Sequence, residues 1–90
     1  MITAAVRLPR LLEPAVGDVR RVNVEGGTFR QALDDLFRQH PALRVHLLDE
    51  QGFLRPHVLC FHNGEPNRDL IDSALGDGDE IVFLQAVSGG

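Results

Sequence analysis

Ninety residues with 9 Lys+Arg and 13 Asp+Glu carry a net charge of −4 when the histidines are neutral, and a chain this short has room for one hydrophobic core. All nine cations are arginine, which excludes any lysine nucleophile, Schiff base or P-loop lysine, and the acidic balance leaves no basic field for a nucleic-acid backbone. The single cysteine, Cys60, rules out an internal disulfide, a four-cysteine iron–sulfur site and a cysteine-rich zinc site, and fits a reducing, cytoplasmic setting.

At 43% hydrophobic and 24% charged residues the composition is that of a chain that folds. No apolar run approaches the ~20 residues that a membrane span needs. The opening MITAAVRLPR has no basic region followed by a long apolar stretch, so it does not read as a signal peptide.

Ile2, Ala4, Val6 and Leu8 stand two apart and predict a first strand over 2–8. Pro9 ends it, and Pro14 and Gly17 supply the chemistry of a reversal, with Leu11 or Leu12 folding back on the core. Val22 and Val24 alternate with Arg21 and Asn23 in a second strand over 19–24, the antiparallel partner of the first. Gly26-Gly27 break this strand. Thr28 and Gln31 then have the spacing of a capping box, and Phe29, Ala32, Leu33, Leu36 and Phe37 form an apolar helical stripe. Pro41 closes that helix after about three turns, which leaves His40 at its C-terminus, where a cation suits the dipole.

Leu43, Val45, Leu47 and Leu48 show no clean period, and the stretch reads as an irregular connection ending in a turn over 49–52. A third strand over 58–62 stops at Asn63-Gly64, a strong hairpin-turn signal. Leu70, Ile71, Ala74 and Leu75 predict a short helical turn, and Gly76-Asp77-Gly78-Asp79 a sharp reversal. The last strand, 81–86, is apolar on both faces, as central strands usually are.

One helix can cover one face of a sheet whose first and last strands lie parallel, joined by a right-handed crossover. The fold class expected is therefore α+β: a β-grasp, or ubiquitin-like, mixed sheet of four to five strands over residues 1–86, followed by a flexible tail, 87–90. Alternation points Val58, Cys60, Ile81 and Phe83 under the helix and Leu59, Phe61, Val82 and Leu84 outward. Four apolar residues on an uncovered face are expected to bind a partner, and Asp77, Asp79 and Glu80 beside them would suit a basic rim on it.

Internal side chains offer little chemistry. Cys60 and His62 share a strand face, but a zinc site needs about three protein ligands and no third falls at a supporting spacing, so Cys60 reads as a small core residue. His57 and His62 lie five apart and face opposite ways on a straight strand, and the only serines, Ser73 and Ser88, form no Ser-His-Asp arrangement. The two terminal glycines would deliver the one functional group that no internal residue owns, the carboxylate of Gly90. Val87, Ser88, Gly89 and Gly90 would project as an arm of at most ~14 Å, and two residues without Cβ can enter a slot too narrow for others.

The ending DGDEIVFLQAVSGG and the His62–Pro66 turn HNGEP resemble the MoaD/ThiS family of ubiquitin-like sulfur carriers. LQAVSGG, LRPHVLCFHNGEP and the long segment before the third strand are most similar to its CysO-like members, the carriers for cysteine synthesis. MoaD, the small subunit of molybdopterin synthase, commonly ends P-V-x-G-G, where this chain has Ala86-Val87-Ser88-Gly89-Gly90. The resemblance implies a non-enzymatic protein cosubstrate. An adenylating enzyme of the ubiquitin-activating type would use ATP to activate the Gly90 carboxylate, a sulfur donor would convert it to a thiocarboxylate, and a synthase would accept the sulfur; the chain itself would bind no cofactor, metal, nucleic acid or membrane. Two alternatives stay open: a molybdopterin synthase subunit, and a ubiquitin-like modifier of other proteins.

Overall fold

Ala4, Val6 and Leu8 are buried on one face of the first strand while Thr3 and Arg7 are exposed on the other, where only the small Ala5 is also buried. The computed structural model describes residues 1–9, 21–69 and 72–85. In chain order the elements are β1 (Thr3–Arg7), β2 (Arg21–Glu25), α1 (Phe29–Gln39), α2 (Leu43–Leu47), β3 (Val58–His62), β4 (Glu65–Pro66) and β5 (Asp79–Gln85). The sheet order is β2-β1-β5-β3-β4. β1 pairs antiparallel with β2 and parallel with β5, and β5 pairs antiparallel with β3. The doubly apolar last strand is thus central, and its neighbours have the expected directions. Leu11 and Leu12, expected to fold back on the core, lie outside the described residues.

α1 covers one face. Phe29, Ala32, Leu33 and Leu36 are buried from it, with Phe37 packed at the margin, against Val6, Val22, Val24, Val58, Cys60, Ile81 and Phe83 from the strands. Burying each large apolar side chain in such a layer contributes roughly 1.5–3 kcal/mol. The Thr28 hydroxyl accepts from the Gln31 N–H at 3.2 Å, while the Gln31 Oε1 accepts from the Gly27 N–H at 2.9 Å, one residue earlier than a standard capping box. Gly26 is required by this close approach, since a Cβ there would stand 2.5 Å from the Ala32 nitrogen.

Three segments differ from expectation. The stretch after Pro41 is helical: Leu43 and Leu47, four apart, are buried, and the period is obscured in the sequence by Val45, which is apolar but 60% exposed on the far side. In place of a helical turn, Ala74 forms an antiparallel bridge with Thr28 and Leu75 is buried beside it; Leu70 and Ile71 lie outside the described residues. This segment serves the start of α1, because the Ser73 carbonyl accepts the Phe29 N–H at 2.9 Å, a donor without a partner inside the helix. Finally, Asn63 (φ 51°) and Gly64 (φ 87°) make the expected hairpin turn, but the chain returns from it in a strand the sequence does not announce, the two-residue edge strand β4. Both central residues having positive φ is the geometry of a type I′ hairpin.

Candidate functional site

Alternation along β3 and β5 sorts their side chains as the sequence predicts. Val58, Cys60, Ile81 and Phe83 are buried under α1. On the opposite face Leu59 is 40% and Leu84 44% exposed, with Phe61 and Val82 half-buried. Register then sets their neighbours: Leu59 stands opposite Leu84 and Phe61 opposite Val82. The four form one apolar block on the uncovered side of the two strands.

The tail residues Val87, Ser88, Gly89 and Gly90 lie outside the described residues. Gly90 follows Gln85, the last residue of β5, by five positions, so covalent geometry keeps its carboxylate within about 18 Å of that strand end. Leu84 and Leu59 occupy the same end. The block therefore borders the exit of the tail.

The acids occupy the other end of β5 and are engaged locally. Asp77 Oδ1 accepts from the Thr3 backbone N–H at 2.9 Å and from the Thr3 hydroxyl at 3.1 Å, and these bonds, the backbone one foremost, hold its carboxyl below the usual range. Asp79 Oδ2 accepts from the Gly76 N–H at 2.8 Å and lies 2.7 Å from His62 Nε2. The Gly76 bond first, then His62, lower the Asp79 pKa to about 2. Glu80 lies 3.8 Å from Arg7. Asp77 and Asp79 thus fasten the turn that feeds β5 into the sheet.

His62 is the residue whose role local spacing does not reveal. It shares the inner face of β3 with Cys60, yet its ring lies edge-on to Phe29, with centroids 5.2 Å apart, and its Nε2 meets Asp79, 17 residues later in the chain. Only the antiparallel register, which places His62 opposite Ile81, brings these groups together. Cys60 is 3% exposed, and burial pushes its thiol up to about 12, against a small opposing influence of Arg68. It packs as a core side chain, in the apolar surroundings that hold a thiol protonated. His40 caps the C-terminus of α1, where its N–H donates to the Leu36 carbonyl at 2.8 Å, and His57 is exposed. No helix among the described residues is long and apolar enough to cross a membrane.

A mixed sheet whose last described strand is central, one main helix on one face and an open apolar block on the other define a β-grasp protein of the ubiquitin-like class. The ThiS family profile matches residues 6–90. The chain belongs to that family, whose relatives are small ubiquitin-like sulfur carriers and modifiers. It is 37% identical over 81 residues to the small archaeal modifier protein 1 of Haloferax volcanii, covering 89% of this chain and 91% of the relative. It is 29% identical over 93 residues to the sulfur carrier protein CysO of Mycobacterium tuberculosis, covering 99% and 100%. A chain in the crystal structure of the Amycolatopsis orientalis BexX/CysO complex superposes with a TM-score of 0.86 at 27% identity, covering 97% of this chain and 99% of that one.

Proposed function

We propose that the chain is a sulfur carrier whose reactive group is the Gly90 carboxylate. The observation that carries this reading is the block of Leu59, Phe61, Val82 and Leu84 left uncovered at the end of the central strand that leads to Gly89-Gly90. A partner seated on that block is positioned to receive the tail. The carboxylate attacks the α-phosphate of ATP on an adenylating enzyme of the ubiquitin-activating type, forming an acyl-adenylate and releasing pyrophosphate. Sulfide from a donor then adds to the acyl carbon and displaces AMP, leaving a thiocarboxylate. Its sulfur is the nucleophile delivered to an accepting synthase, for cysteine or another sulfur-containing metabolite. The chain holds no cofactor in this scheme, and ATP belongs to the partner.

Gly89, Ser88 and Val87 thread the partner's slot, where absent or small side chains allow close approach. The shielded Cys60 thiol leaves the sulfur chemistry to the tail. Incubation with the adenylating enzyme, ATP and a sulfur donor is expected to raise the intact mass by the exchange of one oxygen for sulfur. An unchanged mass with an enzyme that activates its own carrier would sink the reading. The higher identity to an archaeal modifier protein favours a second one, in which the acyl-adenylate is passed to a lysine of a target protein as an amide. Recovery of such adducts from cells, by capture of the tagged chain and peptide mapping, separates the two.

A further inference from the structure

Arg7 and Arg21 stand directly opposite one another across the β1–β2 ladder. Both side chains emerge on the uncovered face, because their neighbours Val6 and Val22 point beneath α1. Directly opposed residues on one face have Cβ atoms about 4.5–5.5 Å apart, and like charges in that position destabilise a sheet. The chain has 13 acids for nine arginines, so an opposed acid was available to the composition. Glu80 approaches Arg7 only to 3.8 Å, and among the described residues no carboxylate pairs with Arg21. Such a local conflict, relieved at Arg7 only by the exposed Glu80 pair and at Arg21 by no carboxylate among the described residues, is the kind found at functional positions.

The surroundings say what would relieve it. In the parallel β1–β5 pair Arg7 stands beside Val82, and Val82 stands beside Phe61. One line across four strands therefore reads Arg21, Arg7, Val82, Phe61: two guanidiniums running into the apolar block. We propose that Arg7 and Arg21 form a carboxylate clamp on this face, which takes an Asp or Glu side chain of the adenylating enzyme as that enzyme's apolar surface covers Leu59, Phe61, Val82 and Leu84. A carboxylate between the two guanidiniums replaces a repulsion with two charge-assisted hydrogen bonds. The clamp lies to one side of the apolar block, on β1 and β2, so it sets the partner's orientation across the sheet.

This inference rests on the docking surface in the proposed function, and the test separates the two. Arg21→Gln, Arg21→Glu and Leu84→Asp are compared with the unaltered chain for rate of association with the adenylating enzyme at several salt concentrations, and for thermal unfolding. Arg21→Gln is expected to melt at or above the temperature of the unaltered chain, yet to associate about tenfold more slowly at low salt and with a shallower salt dependence. Arg21→Glu is expected to be slower still, although its new pair with Arg7 does not weaken the free fold. A merely structural arginine would lower the melting temperature together with the rate. Unchanged association in both Arg21 variants overturns the clamp; if Leu84→Asp nevertheless abolishes docking, the docking surface stands without it. If Leu84→Asp also leaves association unchanged, both readings fall.

Discussion

Ile81 and Phe83 on one side of β5 are sealed beneath α1, whereas Val82 and Leu84, equally apolar and one position away, open to the other side. The difference comes from the number of covering layers, since a single main helix can seal only one face of the sheet. Hydrophobicity alone therefore does not locate the core of so small a domain. The inner residues hold the fold, and the outer ones leave an apolar surface of the kind that commonly marks an interface.

The contrast can be broken or sharpened by experiment. Deleting Gly90 is expected to abolish adenylation, read as pyrophosphate release by the activating enzyme, with an unchanged denaturation midpoint; a shifted midpoint would mean that the tail belongs to the fold. Phe83→Ala on the sealed side is expected to cost about 3–5 kcal/mol in denaturant unfolding, whereas Leu84→Ala on the open side is expected to cost under about 1 kcal/mol while slowing partner association. Equal losses would erase the distinction between the faces. Thr28→Ala removes the hydroxyl cap of α1 and is expected to cost about 1 kcal/mol, without effect on association, because it lies on the covered side.

Acid provides a further probe of the end remote from the tail. The folded-state pKa of Asp79 is depressed to about 2, and that of Asp77 is lowered too. Their contribution is therefore full above the unfolded carboxyl value of about 4 and is lost as pH falls from there through about 2. The substitution Asp79→Asn is expected to flatten stability against pH in that window, followed by far-UV circular dichroism. A variant profile as steep as that of the unaltered chain would place the acid sensitivity elsewhere.

Much of the architecture is legible in the sequence. β2 and α1 carry periods of two and 3.6 residues, β3 and β5 are short apolar runs rich in strand formers, and the alternation of a strand's faces separates Leu59, Phe61, Val82 and Leu84 from their buried neighbours. α2 escaped because Val45 places an apolar residue on its exposed side, and β4 because two residues carry no period. The segment at Ala74 departs from the expected helical turn for another reason: its conformation answers the needs of the start of α1, some 45 residues earlier in the chain. The His62–Asp79 contact and the Arg7–Arg21 opposition depend on register, which pairs residues that no local spacing relates.

The central place of β5 also bears on the order in which the molecule is made. β1 leaves the ribosome early, yet its partner in the parallel pairing, Ala4 to Asp79, comes 75 residues later. Until β5 arrives, β1 and β2 form one two-stranded piece and β3 and β4 another, and hairpins of that size are marginal in water. A chain cut short before β5 therefore has neither a joined sheet nor the strand that leads to the Gly-Gly arm. Completing the sheet and completing the strand that leads to Gly89-Gly90 become a single event, so under the proposed function an activating partner that grips the sheet would meet only finished copies.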